Sequence, residues 1–241
     1  MRPSWSAMQE IGRDIGERWD FMEIFSGCSR LSKEVAKFGG KCGPAVDCLP
    51  SAELRLDLST PSTRALLWQL VKESRVRWIH LGFPCTFFIN LGRCTALRTH
   101  TQWEELRETA LGHMEFSIHL LREQETEGRD GSMEQPRNAG SWRCRGWTEL
   151  ENSSFQKYIY DSCAFGLCDE YGRPLQKPGA LGSNRDLSTM ERQCCCGVPH
   201  GRVEGSVQQG PEKGRRRSEV AGQYTLAFCQ AFAREILRSR I

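Results

Sequence analysis

A cysteine at the end of an apolar run is the residue of this sequence whose position most needs explaining. Residues 76–88, VRWIHLGFPCTFF, begin like a buried strand and end in Gly-Phe-Pro, so that Cys85 follows Pro84 at the strand tip. A thiol becomes a strong nucleophile where a nearby base or a positive field favours the thiolate. Glu134 lies farther along, in a second X-Pro segment, SMEQP. The pair favours catalysis in a shared cleft; the alternative is that Cys85 is an ordinary buried thiol beside a turn.

The first strand pattern ends in a loop suited to a nucleotide. Gly27 follows Phe25 and Ser26, and glycine permits a tight turn with close backbone approach to a ligand. Asp47 comes about 20 residues after Phe25, the offset at which an acid binds a ribose hydroxyl in nucleoside-cofactor folds. Asp57 follows the third strand pattern. The alternative for Asp47 is a strand-end aspartate that caps a turn.

The composition is that of a globular protein whose net charge is too small to identify a partner. The 241 residues suffice for a sizeable core, and we expect residues 19–241 to form a single domain after an N-terminal extension, 1–18. Lys and Arg number 33 against 30 Asp and Glu, and a net charge of +3 permits a nucleic-acid partner without establishing one. No run resembles a signal peptide or a membrane span, so the sequence favours an intracellular protein without a membrane partner.

Short β-rich runs alternate with helical patterns, which is typical of an α/β sheet with crossover helices. The predicted strands are 19–25, 42–49, 53–59, 76–88 and 132–136, and the predicted helices are 29–40, 60–75, 101–125 and 218–241. Residues 154–167 are predicted as a short helix leading into a sixth strand, and 160–184 as a hairpin that adds an antiparallel strand. Residues 185–217 are predicted as an irregular loop rich in Cys, Gly and Arg.

Several short segments carry a family resemblance. FMEIFSGCSRLS, AVDC, LDLS, GFPCTFF and MEQPRNAGSW follow one another in the order of the cofactor-binding and catalytic motifs of the cytosine-C5 DNA methyltransferases. The sequence resembles most the divergent versions of this domain in eukaryotic retroelement polyproteins, whose tails are similar to CCCGVPHGRVEGS and RRRSEVAGQYTLAFCQAFA. The resemblance covers most of residues 20–240, and Pro84-Cys85 with Glu134-x-Pro136 is its most specific part.

The resemblance implies a fold and a covalent mechanism. The fold would be α/β, a Rossmann-like class I methyltransferase with a mostly parallel sheet, one antiparallel strand and helices on both faces. Cys85 would add to C6 of a flipped-out cytosine, and C5 would then take a methyl group from S-adenosyl-L-methionine. Glu134 would bind the ring at N3 and the exocyclic amine, while Pro84 and Pro136 stiffen the two loops.

The resemblance also implies the cofactor contacts and the partner. Asp47 and Asp57 would bind the ribose and the adenine amine. The full set of implied cofactor contacts is Phe25, Ser26, Gly27, Cys28, Asp47, Cys48, Asp57, Leu58 and Pro84. Nucleic acid would be the substrate, with DNA favoured over RNA, and a nuclear location would suit it.

The sequence departs from the family pattern at three points. Ser29 stands where the family has a second glycine, GRPLQKPGALGSN has no Gln-x-Arg-x-Arg element, and no large target-recognition region precedes the last helix. These departures favour an alternative function, a catalytically degenerate nucleotide- or nucleic-acid-binding module derived from a mobile element.

Three further features leave alternatives open. Arg215, Arg216 and Arg217 could contact phosphate or lie in a solvated loop. The CCCGVPH segment, with Cys163 and Cys168 as possible partners, could bind zinc, but its spacing matches no standard pair of Cys-x-x-Cys knuckles, so the sequence assigns no metal ligand. His80, just before the cysteine loop, faces either the core or the cleft.

Overall fold

The computed structural model describes residues 18–89 and 100–238. Nearly all of the expected N-terminal extension and the last residues of the predicted final helix lie outside the described residues. Within the described residues, no helix has both the length and the apolar character needed to cross a bilayer.

A seven-stranded sheet forms the centre of the molecule. In chain order the described strands are β1 Phe21–Ile24, β2 Val46–Asp47, β3 Leu54–Arg55, β4 Trp78–Leu81, β5 Asp130–Pro136, β6 Gln156–Asp161 and β7 Pro178–Ser183. Across the sheet their order is β3-β2-β1-β4-β5-β7-β6, and only β7 runs in the direction opposite to the other six strands.

The described helices connect the strands and cover the sheet. They are α1 Arg30–Lys37, α2 Pro61–Ser74, α3 His100–Thr126, α4 Arg145–Glu151, α5 Arg217–Val220 and α6 Leu226–Arg238, with 3-10 turns at Gly140–Arg143, Ser162–Phe165 and Ser188–Met190. Thr60 caps α2 by accepting a hydrogen bond from the Thr63 amide, and Pro61 is the first residue of this helix, which lies within the predicted range 60–75.

Two hydrophobic clusters, one on each face of the sheet, hold these layers together. Successive side chains of a strand point to opposite faces, so in β4 Trp78 joins one cluster while Ile79 joins the other. The Ile79 cluster includes Leu67 of α2 and Leu120 of α3, and the Trp78 cluster includes Phe232 of α6. The predicted Rossmann-like α/β fold, with a mostly parallel sheet, one antiparallel strand and helices on both faces, is confirmed.

Two element predictions were wrong. Residues 154–167 contain strand β6 followed by a 3-10 turn, not a helix leading into a strand, because Tyr158 and Tyr160 alternate with more exposed residues at the strand period. The helix predicted over 218–241 is two helices. The second helix begins after Thr225, whose hydroxyl acts as its N-cap by accepting a hydrogen bond from the Phe228 amide.

A buried carboxyl on β1 makes the stability of the fold depend on pH. Burial raises the pKa of Glu23 from 4.5 to about 7, although the amide and hydroxyl of Ser32 donate to its Oε2 at 2.9 and 2.7 Å. The folded protein therefore binds a proton here that the unfolded chain has released. This stabilising contribution is present below pH 4.5 and is lost as pH rises through 7.

We therefore expect Glu23→Gln to stabilise the protein at alkaline pH. The gain in free energy of unfolding over wild type should grow from near zero at low pH to as much as about 3 kcal/mol above pH 8. Urea unfolding at several pH values measures it, with exposed Glu151→Gln as the control. A gain that does not change with pH would contradict the burial of an ionisable proton at Glu23.

Candidate active site

The turn between β1 and α1 brings together two of the predicted cofactor residues. The Gly27 amide donates to Asp47 Oδ2 at 2.8 Å, and the Leu49 amide donates to Oδ1 of the same carboxylate at 3.0 Å. Phe25, Gly27 and Ser29 all have left-handed backbone conformations, with φ of 60, 55 and 56°. Such strain in two non-glycine residues is typical of a turn held for function.

The backbone of this turn is uncovered at Gly27. A Cβ placed on Gly27 would meet no atom within 4 Å, so the backbone is open to close approach. Each Asp47 oxygen accepts one described amide hydrogen bond and keeps a lone pair for a hydroxyl group. Asp57 is exposed beyond β3, and hydrogen bonds from Ser59 lower the pKa of its carboxyl.

The other predicted cofactor residues lie around the same edge of the sheet with different exposure. Ser26 and Leu58 are buried, Phe25 and Cys28 are half-buried, and Cys48 and Pro84 are exposed. Ser29, the departure from the family pattern, is buried, and its hydroxyl lies 3.3 Å from the Ser26 hydroxyl. Its side chain is thus held against a neighbouring residue of the turn.

The loop that carries Cys85 is fastened to β5 and to the turn that follows it. Gln135 Nε2 donates to the Phe83 carbonyl at 2.7 Å, and the Gly140 amide donates to the Phe88 carbonyl at 2.7 Å. The Phe88 amide donates in turn to the Cys85 carbonyl at 2.8 Å. These bonds fix the half-buried thiol beyond the carboxyl end of β4.

Glu134 occupies the neighbouring strand, and its electrostatic influence reaches Cys85. β4 and β5 pair in parallel with Leu81 opposite Met133, so Glu134 lies one residue past the end of β4. Burial first, and then the Glu134 charge, raise the pKa of the Cys85 thiol, while Lys177 opposes the rise. The structure thus brings the predicted pair into one electrostatic environment.

The surroundings of the Cys85 thiol disfavour the thiolate form. A strand-end cysteine beside a helix N-terminus would have a lowered pKa, but the described residues after Cys85 form a turn, and the pKa is raised instead. Burial in the loop raises the pKa of Cys85 more than the positive charge of Lys177 lowers it. Forming the thiolate therefore requires additional positive charge or a base.

Glu134 is held by residues that the sequence did not single out. The Tyr160 hydroxyl donates to Glu134 Oε1 at 3.1 Å. Burial raises the pKa of Glu134, against the influence of Lys177 and of the Tyr160 hydrogen bond. Tyr160 lies on β6 and Lys177 just before β7, so the antiparallel end of the sheet supplies both. The alternation of buried and more exposed residues around Tyr160 was the sequence signal that could have identified this strand.

A small cavity of about 20 Å³ lies beside Glu134. Its walls come from the ends of β6 and β7 and from the segment before α6. Tyr160, Lys177, Tyr224 and Phe228 are among its lining residues, and Cys85, Gly27 and Asp47 are not. A single pocket shared by the thiol, the carboxylate and the cofactor turn therefore stays a prediction.

His80 belongs to the core. It is fully buried, and burial lowers its pKa to about 3, so the ring is neutral. Its ring nitrogens lie 2.9 Å from the Ser132 hydroxyl and 3.0 Å from the Tyr224 hydroxyl. Because Tyr224 lines the Glu134 cavity, His80 acts as a support for that wall.

The arginines predicted to contact nucleic acid lie at the start of α5. Arg215 forms ion pairs with Glu212 and Glu219 at 2.5 and 2.6 Å, and Arg217 forms one with Glu170 at 2.5 Å. The side chain of Arg216 is exposed. A phosphate group would have to compete with carboxylates at two of the three positions, and the contact with nucleic acid stays a prediction.

No protein-family model and no curated protein sequence matches the chain. Among solved structures it is similar to the Dnmt2 methyltransferase of S. pombe, with 11% sequence identity and a TM-score of 0.43. The match covers 83% of this chain and 57% of that one, so the chain spans less than two thirds of that protein. The chain's own strand order and its single antiparallel strand define a Rossmann-like α/β fold.

Proposed function

We propose that this protein is an S-adenosyl-L-methionine-dependent methyltransferase that acts on cytosine C5 in nucleic acid. The observation that carries the proposal is the electrostatic coupling of Cys85 and Glu134 at the ends of two adjacent parallel strands. A nucleophile and an acid on adjacent strands suit the addition of sulfur to an electron-poor ring. The Gly27–Asp47 turn stands at the same edge of the sheet.

The cofactor would be held by Gly27 through close backbone approach, by Asp47 at the ribose and by Asp57 at the adenine amine. When bound, S-adenosyl-L-methionine supplies the methyl group and a positively charged sulfonium. A positive charge near Cys85 would favour the thiolate, which the raised pKa of the free thiol otherwise disfavours.

The chain's own residues account for activation of the cytosine. The Cys85 sulfur forms a bond to C6, and the electron pair displaced from the C5–C6 double bond makes C5 nucleophilic. The raised pKa of Glu134 favours the protonated carboxyl, which can donate to N3 as negative charge develops on the ring. The Tyr160 hydroxyl orients that carboxyl. After methylation, a base takes the C5 proton, the electron pair of that C–H bond restores the C5–C6 double bond, and the thiolate leaves C6.

The alternative is a degenerate nucleotide- or nucleic-acid-binding module that has kept the fold. The raised pKa of Cys85 favours this alternative, because an unactivated thiol is a poor nucleophile.

A methylation assay separates the two functions. The protein is incubated with S-adenosyl-L-methionine and either a DNA or an RNA oligonucleotide, and the nucleosides are analysed by mass spectrometry. We expect 5-methylcytosine, with DNA preferred. Cofactor binding without any methylated base would instead support the binding module.

We expect Asp47→Asn to weaken S-adenosyl-L-methionine binding about 10- to 100-fold, the usual effect of losing a charged hydrogen-bond acceptor. Asparagine keeps an oxygen for the Gly27 amide but places an NH2 group opposite the Leu49 amide, so thermal unfolding of the variant is measured beside that of wild type to separate loss of the turn from loss of binding. Calorimetry measures the affinity. Asp186→Asn is the matched control, because Asp186 likewise accepts an amide hydrogen bond, from Ser188, but outside the site. Equal affinities of wild type and Asp47→Asn for S-adenosyl-L-methionine would show that Asp47 does not bind the cofactor.

A further inference from the structure

Three cysteines and a histidine meet outside the candidate active site. The side-chain ligand atoms of Cys163, Cys194, Cys196 and His200 all lie within 4.8 Å of one another. Cys163 is buried and the other three are half-buried. Cys194 Sγ already lies 3.2 Å from His200 Nε2. These four residues are called the thiol–imidazole cluster below.

The separations in this cluster approach those of a tetrahedral zinc site. With Zn–S bonds of about 2.3 Å and Zn–N bonds of about 2.0 Å, the ligand atoms of a tetrahedron stand roughly 3.5–3.8 Å apart. The upper limit of 4.8 Å in the cluster exceeds these separations by about 1 Å, a difference that side-chain rotation can close. Three sulfurs and one imidazole nitrogen form the soft donor set that zinc prefers.

Backbone hydrogen bonds bring the ligands together from two segments. Cys163 lies in the 3-10 turn after β6, and the Cys194 amide donates to Asp161 Oδ2 at 2.9 Å, at the end of that strand. The Asp161 amide donates to the Arg192 carbonyl at 2.8 Å, so the later segment runs along the edge of β6. Gly197, with φ of 64°, supplies the left-handed residue that turns the chain back after Cys196.

We propose that Cys163, Cys194, Cys196 and His200 bind one Zn²⁺ in a closed, structural site. Four protein ligands complete the tetrahedron and leave no position for a reacting water, so the ion would stabilise structure and not take part in catalysis. Two cysteines that the sequence offered as ligands are excluded: Cys195 and Cys168 are exposed and lie outside the cluster.

The site would anchor the irregular segment 185–217 to the edge strand of the sheet. Ser162 and Phe165, in the same turn as Cys163, line the Glu134 cavity. Zinc would therefore fix one wall of that cavity as well. The proposal does not depend on the proposed methyltransferase activity, because its ligands and its role are separate from the reaction.

Metal analysis of the purified full chain tests the proposal. We expect one zinc ion per chain in wild type and in Cys195→Ser, and at least a tenfold weaker affinity in Cys194→Ser and Cys196→Ser. Cys195→Ser is the matched control because this exposed thiol lies between two ligands. Equal zinc content in all four proteins would overturn the proposal.

A second measurement avoids variants that fail to fold. Wild type is stripped with a chelator and reconstituted with Co²⁺, and we expect the intense visible bands of tetrahedral cobalt together with thiolate charge-transfer absorption. X-ray absorption of the zinc form should show three sulfurs and one nitrogen at about 2.3 and 2.0 Å. Absence of these bands, or a disulfide between two cluster cysteines in freshly isolated protein, would refute the site.

Discussion

Cys85→Ser is expected to reduce methyl transfer by about 1,000-fold or more while leaving the affinity for S-adenosyl-L-methionine unchanged. A serine hydroxyl is far less acidic than a thiol, and this loop already disfavours the anion of the more acidic group. The fall should appear in the methylation rate, because the nucleophile acts in the chemical step and the cofactor residues remain in place.

Cys168→Ser is the matched control for this experiment. It removes an exposed thiol from outside both the candidate active site and the thiol–imidazole cluster, and it should keep full activity. If Cys85→Ser retained the wild-type rate, Cys85 would be one more structural thiol and the proposed mechanism would be wrong.

Glu134→Gln is expected to lower the methylation rate about 100- to 10,000-fold and to change its pH dependence. The wild-type reaction requires the Cys85 thiolate together with the protonated Glu134 carboxyl. The rate should therefore rise with pH through the Glu134 pKa, level off, and fall above the Cys85 pKa. Both pKa values are raised from their usual ranges, which moves this bell toward alkaline pH.

The glutamine variant should lose the alkaline fall. Glutamine carries no proton to release, so the rate should follow the thiolate alone and level off at high pH. Loss of the Glu134 charge should also lower the pKa of Cys85, since that charge raises it. Alkylation of Cys85 by iodoacetamide as a function of pH measures this shift without any methyl transfer.

Tyr160→Phe separates the charge of Glu134 from its positioning. Removing the hydroxyl deletes a hydrogen bond that lowers the pKa of Glu134, so the acidic limb of the rate profile should move to higher pH while its bell shape remains.

For Glu134→Gln, an alkylation profile of Cys85 identical to that of wild type would show that the charge of Glu134 does not act on Cys85.

The sequence predicted the parallel half of the fold well, because strand, turn and helix signals there are local. The helix over Pro61–Ser74 has a local signal in its cap and its proline, and the spacing of Asp47 from Phe25 marked Asp47 as a candidate residue beside the β1–α1 turn, where the Gly27 amide donates to it. The helix expected near residue 154 was wrong because Tyr158 and Tyr160 alternate with more exposed residues at the strand period.

The missed site residues share a physical cause. Tyr160 and Lys177 reach Glu134 only because β7 inserts between β5 and β6, a long-range pairing that no local pattern specifies. The thiol–imidazole cluster likewise depends on a contact between distant parts of the chain. Cys163 joins Cys194 across the end of β6, so the ligand spacing along the chain follows no standard zinc motif.

Covalent trapping with 5-fluorocytosine tests the central claim most directly. Fluorine at C5 cannot leave as a proton does, so an enzyme that attacks C6 and transfers a methyl group remains bonded to the base. We predict that wild type, S-adenosyl-L-methionine and a 5-fluorocytosine oligonucleotide give an adduct that peptide mass spectrometry maps to Cys85. Cofactor binding without an adduct, or an adduct on any other cysteine, would contradict the account.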